Sequence, residues 1–173
     1  MKNDLCVLHP LTGMEWNGQS IRFGDCREDV EKILGAPETV RGSKCYYFQS
    51  ELRCDFDAAG KLEFVEFLGG IDGSFQPELY GVPAFQTDAE ELLELLKQHN
   101  DGPIDDSEAE YSYGFLNISV GVYREITPAD VDGMLLEMSN MDLTNIGDID
   151  IEEENKRAHH WETIGIGVKD HYA

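Results

Sequence analysis

The chain has 173 residues, 41% of them hydrophobic, enough apolar surface for one shared core and enough to exclude disorder throughout. Thirty-five acidic side chains against thirteen basic ones give a formal net charge of -22, a field that repels nucleic acid and anionic lipid. The same field speeds encounter with a basic protein partner, although solubility or adaptation to salt is the plainer reading of it.

In chain order, Met14 to Phe23 holds an Asn17-Gly18 pair between apolar alternations, which predicts a type I′ hairpin. Asp25 and Glu28 then read as a variant capping box for a first helix over about 26–34, with Val30, Ile33 and Leu34 as its stripe and Gly35 and Pro37 as its stop. Three strands follow over 44–49, 52–57 and 61–68. A two-residue turn at Gln49-Ser50 places Cys45 opposite Cys54, and a turn centred on Ala58 places Phe56 opposite Leu62 and Cys54 opposite Phe64. The glycine- and proline-rich stretch 69–83 reads as a connector with a short strand around Tyr80.

A second helix is expected from a capping box at Thr87 and Glu90, with Leu92, Leu95, Leu96 and His99 on its stripe, ending near Asn100. Residues 110–115 and 118–124 form a hairpin around Leu116-Asn117. Thr127-Pro128 starts a third helix with Val131, Met134, Leu135, Met138 and Met141 on one side. The run 142–154 has six acidic and no basic residues and is expected to be a mobile loop, and 161–168 closes the chain as a strand.

These elements make an α+β fold. They form a single domain over 1–173 with an antiparallel sheet built from two tandem helix-plus-three-strand motifs, pseudo-repeats over 21–68 and 87–168, and an extra helix and acidic loop inserted in the second. Period two puts Tyr111, Tyr113, Phe115, Ile118, Val120 and Val122 on one face of the second hairpin. Ser112, Gly114, Ser119 and Gly121 fall on the other, joined there by Gly165 and Gly167. Helix 128–141 packed on that bare face is the bland explanation; an open docking face is the alternative.

Chemistry-bearing motifs are sparse. The chain lacks a Gly-x-Ser-x-Gly nucleophile elbow and the two glycine-rich phosphate loops, so no catalytic residue and no cofactor is assigned. His159, His160 and His171 are near in sequence, but neighbours on a strand face opposite ways and no metal set is assigned. Cys6, Cys26, Cys45 and Cys54 have no Cys-x-x-Cys spacing and are expected as free thiols. No apolar run reaches the roughly 18 to 20 residues that span a bilayer, and Met1 to Leu5 carries no signal-peptide segment, so no membrane association and a cytoplasmic location are expected.

Ile21-Arg22-Phe23-Gly24, Val30, Leu34-Gly35-Ala36-Pro37, Tyr46-Tyr47-Phe48 and Asp57 to Leu62 together resemble, over 21–68, the repeat of the β-lactamase inhibitory proteins and of the small outer-membrane-assembly lipoproteins. The resemblance implies a non-catalytic binding module. Without a secretion signal or a lipidated cysteine, no partner carries over from either group.

Charge, missing catalytic motifs and this resemblance converge on an acidic protein-binding module of immunity or inhibitor type. Asp105, Asp106, Glu108, Asp148, Asp150 and Glu152, with Tyr80 and Trp161, are its candidate contacts for a basic protein. The alternative is a small-molecule-binding protein or small hydrolase with a pocket between the sheet and the 69–83 connector. Trp16, Tyr80 and Trp161 would line that pocket, and His99 or His160 would act as its base.

Overall fold

The computed structural model describes residues 4–140 and 150–173. Its smaller sheet starts as a meander of β1 (Cys6–His9), β2 (Gly13–Trp16) and β3 (Gln19–Arg22). Asn17 and Gly18 take φ of 50° and 82°, the two left-handed residues that a type I′ turn requires, so this hairpin is as expected. Within the connector, β8 (Glu78–Leu79) pairs parallel with β1, and β9 (Val82–Pro83) folds back on it. Tyr80 sits in the turn between β8 and β9 and not in a strand.

Helix α1 (Arg27–Leu34) is capped differently from the expectation. Cys26 is its N-cap with no side-chain bond, and the Asp25 carboxylate instead accepts from the Arg22 amide at 2.8 Å. After it come β4 (Thr39–Arg41), β5 (Lys44–Tyr47), β6 (Leu52–Phe56) and β7 (Leu62–Phe67). Cys45 does face Cys54, and both are free thiols. The next expected pairing fails: a register shift at Asp55/Phe56 leaves Phe56 opposite Leu62 but sets Cys54 opposite Val65 and Asp55 opposite Phe64. One extra residue in a ladder inverts every side chain beyond it, so Phe64 turns to the opposite face from Cys54.

Helix α2 (Ala89–Asn100) is capped by Asp88, whose carboxylate accepts from the amides of Glu90 and Glu91. Thr87, the expected cap, donates its hydroxyl to the Pro83 carbonyl at 2.7 Å. The buried face is Ala89, Leu92, Leu93 and Leu96, with Leu95 only partly covered. Four strands finish the large sheet: β10 (Ile104–Asp105), β11 (Ser112–Phe115), β12 (Val120–Tyr123) and β13 (Thr163–Gly167). Phe115 pairs with Val120, so the β11–β12 loop has four residues and not two. Its shape is held by Asn100, whose side-chain oxygen accepts from the amides of Asn117 and Ile118 at 2.9 and 3.2 Å.

The large sheet runs β10-β11-β12-β13-β7-β6-β5-β4 and is antiparallel throughout. Each half is a helix followed by four strands, and the halves meet at their last strands, β7 and β13. The expected tandem α+β motif is thus present, with an edge strand added to each copy. Cys54, Val65, Phe67, Ile164, Ile166, Val120, Val122 and Phe115 are buried in one core with residues of α1, α2 and the small sheet.

Two helices stand apart. Thr127 and Asp130 close a complete capping box on α3 (Pro128–Ser139), as Thr127-Pro128 suggests. Yet α3 does not cover the bare face of the sheet; it packs on α4 (Ile151–Ala158) through a small cluster of Ile126, Val131 and Ala158. Of its expected stripe only Val131 is buried, and Leu135 is 47% exposed; Met141 lies outside the described residues. The second half of the expected acidic loop is helical, because Asp150 caps it and Glu152, Glu153 and Glu154 meet the positive end of the dipole while Lys156 and Arg157 meet the negative end.

Candidate functional site: an acidic cavity on the outer face of the sheet

Alternation along β11, β12 and β13 sends Tyr113, Phe115, Val120, Val122, Ile164 and Ile166 inward and leaves Gly114, Gly121, Gly165 and Gly167 outward. This is the bare face read from the sequence, and what lies on it is the segment Asp170–Ala173. A Cβ on Gly121 would collide with the hydroxyl end of the Tyr172 ring, one on Gly165 would come within 2.7 Å of the Tyr172 hydroxyl, and one on Gly167 within 2.7 Å of the His171 Cβ. Glycine at these positions is a steric requirement of the aromatic residues above it.

Beside Tyr172 is a cavity of about 290 Å³. Its floor is Gly114 and Gly121, Tyr123 and Tyr172 wall it, and Glu66, Asp105 and Glu108 border it. The Asp105 carboxylate accepts from the Ser107 hydroxyl at 2.8 Å and the Ser107 amide at 3.1 Å, and these bonds hold it below the usual aspartate range. Glu66 behaves oppositely: burial pushes its carboxyl up, despite an ion pair with Arg53 at 3.4 Å. Arg53 is shared, since it also makes a two-pronged bond to Asp55 at 3.0 and 3.2 Å and lies over the Phe64 ring. The cavity therefore has more carboxylate than guanidinium, and a cationic group suits it.

No family model, curated protein or solved structure matches this chain.

The residues named from sequence scatter around this cavity. Asp105 and Glu108 border it; Asp106 is exposed on the same loop without lining it. Asp150 and Glu152 are exposed on α4, and Asp148 lies outside the described residues. Tyr80 is half-buried and stacked flat on His99, with ring centroids 3.7 Å apart. Trp161 is not a surface aromatic: it is fully buried, its indole N–H donates to the Ala89 carbonyl at 3.0 Å, and the buried Arg124 guanidinium lies 4.7 Å from its ring. Arg124 in turn donates to the carbonyls of Glu110 and Ala158 at 2.7 and 2.8 Å, tying the β11 turn to the end of α4.

Glu66, Arg53, Tyr123 and Tyr172 were not singled out from sequence. Glu66 had a readable signal, since it alternates with the inward Val65 and Phe67; Tyr172 had none, because the segment 169–173 has no periodicity. The pocket expected beside the connector takes another form. Trp16 is stacked on Phe48 and tilted against Phe75, and these two rings fill the space it was expected to line. What remains near the connector is a cavity of about 180 Å³ lined by Leu68 to Asp72, Arg157, His160, Trp161 and Glu162.

Proposed function

We propose that this protein is an acidic protein-binding module that works in the cytoplasm and captures a basic protein, as immunity and inhibitor proteins do, with the outer-face cavity receiving a lysine or arginine side chain. The observation that carries this reading is the convergence of Glu66, Asp105 and Glu108 on a tyrosine-walled cavity of about 290 Å³ in a chain of net charge -22. Carboxylates hold the cation by charge-assisted bonds, tyrosine rings add cation–π attraction, and the wider field raises the encounter rate. The resemblance of residues 21–68 to inhibitory repeats belongs to the same proposal.

Capture on the immobilised chain from a lysate of its own cell, followed by calorimetry with the purified captured protein, tests it. A basic protein retained at low salt, eluted by high salt and bound 1:1 with weakened affinity after Glu66→Gln is the expected result. Affinity unchanged by Glu66→Gln, Asp105→Asn and Glu108→Gln together would sink the cavity as the contact.

The second reading, a small-molecule site at the connector, has one observation in its favour. The His160 Nδ1 is 2.6 Å from the Lys156 carbonyl, which makes Nδ1 the donor and leaves Nε2 free to accept. Against it, a volume of about 180 Å³ is below the roughly 300 to 1,000 Å³ of common ligand pockets. A thermal-shift screen separates the two readings, because only a ligand of the native state raises the melting temperature.

A further inference from the structure

The residues that roof the outer face are attached in an unusual way. His171 lies flat on Phe64, with ring centroids 4.3 Å apart and planes 11° apart, and Tyr172 meets Phe64 and His171 edge-on at 6.1 and 5.1 Å. Among the described residues no hydrogen bond ties the Tyr172 hydroxyl or the His171 imidazole to the sheet; the segment's bonds are local, from the His171 amide to the Val168 carbonyl and from the Ala173 amide to the Asp170 carbonyl, both 3.1 Å. The backbone turns at Asp170, whose φ of 69° is left-handed. A strip held by ring packing alone, pivoting at one turn and resting on glycines, can leave without breaking a ladder.

We propose that Asp170–Ala173 is a proton-sensitive strap: neutral His171 clamps Tyr172 over Gly121 and Gly165, and protonation of His171 releases both rings and opens the outer-face cavity along its Tyr172 wall. The proposal stands whichever ligand the cavity takes. His171 is exposed at its outer edge, so a proton reaches it, but its inner face is against Phe64. Three charged groups face it from the sheet: Glu63 of β7 and Asp55 of β6 favour the proton, while Arg53 of β6 opposes it. Asp170 precedes it within the strap and Lys169 just before the strap, and Glu66 faces the neighbouring Tyr172. Burial outweighs the two carboxylates and pushes the imidazole below its ordinary range. A cation–π gain on Phe64 does not rescue the charged form, because the Arg53 guanidinium already lies 5.2 Å from the centre of that ring.

The direction follows from linkage. The lifted strap has an ordinary histidine, near 6.5, and the closed strap a lower one, so the open form binds more protons between the two values. The closed strap is fully favoured above about pH 6.5 and loses up to about tenfold in its closed-to-open ratio for each pH unit below that, until the lower value is passed.

Nuclear magnetic resonance of the full chain from pH 8 to 5 tests this, reading the His171 and Tyr172 ring signals and the amides of Gly121 and Gly165, which lie in the ring currents of the strap. The expected result is that the glycine amides move together with the His171 titration toward the positions they hold in Tyr172→Ala, while core methyls such as Ile164 stay put. In His171→Phe, which keeps the stack and cannot take a proton, the same amides stay fixed over that range. Glycine amides that ignore the His171 titration in the wild-type chain overturn the proposal, and so does an identical shift in His171→Phe, which would assign the release to a carboxylate.

Discussion

The two faces of β12, β13 and β7 share every backbone atom and differ in every second side chain. Inward, Val120, Val122, Ile164, Ile166, Val65 and Phe67 are buried to 2% exposure or less. Outward, the same strands offer Gly121, Gly165, Gly167, Glu66 and Phe64. The inward face gains its stability from apolar area removed from water, so its residues must be large and their shapes complementary. The outward face has given up that area, and its glycines make room for rings supplied by the 170–173 segment. Stability resides on one side of the sheet and accessible chemistry on the other.

The largest expected effect is on the inward side. Leu92→Ala or Leu96→Ala, on the α2 face that is buried in the core, should lower unfolding free energy by about 2 to 5 kcal/mol. Leu95→Ala should cost clearly less, because Leu95 is only partly buried. Urea denaturation of the three variants side by side checks the order, and a Leu95 cost equal to that of Leu96 would mean that α2 is rotated from the position described. Next comes Gly121→Ala on the outward side. Its Cβ would collide with the Tyr172 ring, the end of a flexible side chain on a strip that rests on the sheet through ring packing, so the strip lifts and the sheet survives. The loss should not exceed the burial of one aromatic ring, about 1.5 to 3 kcal/mol, with the Tyr172 signals shifting to solvent-like values.

Legibility in the sequence followed the same division. Strands and helices with a period were readable because burial writes the period: the Asn17-Gly18 hairpin, the Thr127-Pro128 helix start, the alternation of β12 and β13 and the duplicated plan all carry a local signal. The misreadings share a cause, which is a decision taken between distant residues. The shift at Asp55/Phe56 moves Phe64 to the outward face, and Asn100 fixes a four-residue loop from another element. Arg124 is buried because two carbonyls from distant turns await it. The glycine face itself was legible, but not its occupant, since nothing within residues 169–173 says that two rings fold back on the sheet. Of the carboxylates named for their charge alone, Asp105 and Glu108 border the cavity, because their loop does; charge by itself carries no information on where a side chain lies.

A smaller effect should come from Glu66. Its folded-state proton affinity is raised by burial, so between the ordinary glutamate value of 4.5 and that higher value the native chain holds more protons than the unfolded one. Stability therefore falls as pH rises through this window and levels off above it. Glu66→Gln removes that contribution, so the melting temperature of the wild-type chain relative to the variant should fall as pH rises above about 4.5, whatever opposite slope His171 adds to both, while Arg53 keeps its two-pronged bond to Asp55. Parallel pH-dependent melts measure it, and superimposable curves would mean that the Glu66 carboxyl is hydrated after all.

The smallest effect on stability should come from the cavity rim, where the effect on binding should be plainest. Asp105 and Glu108 are exposed, and an amide at position 105 can still accept from Ser107, so Asp105→Asn with Glu108→Gln should leave the melting temperature close to that of the wild-type chain. Asp132→Asn with Glu137→Gln, on the exposed side of α3, changes net charge by the same two units away from the cavity. If the long-range field alone recruits a basic protein, both pairs slow association equally and flatten its salt dependence alike. If the cavity holds a cationic side chain, the rim pair also raises the dissociation rate, because a charge-assisted contact in the bound complex is lost, whereas the α3 pair does not. Stopped-flow association and dissociation measured at two salt concentrations separate these outcomes, and equal dissociation rates for the two double variants would remove Asp105 and Glu108 from the binding surface.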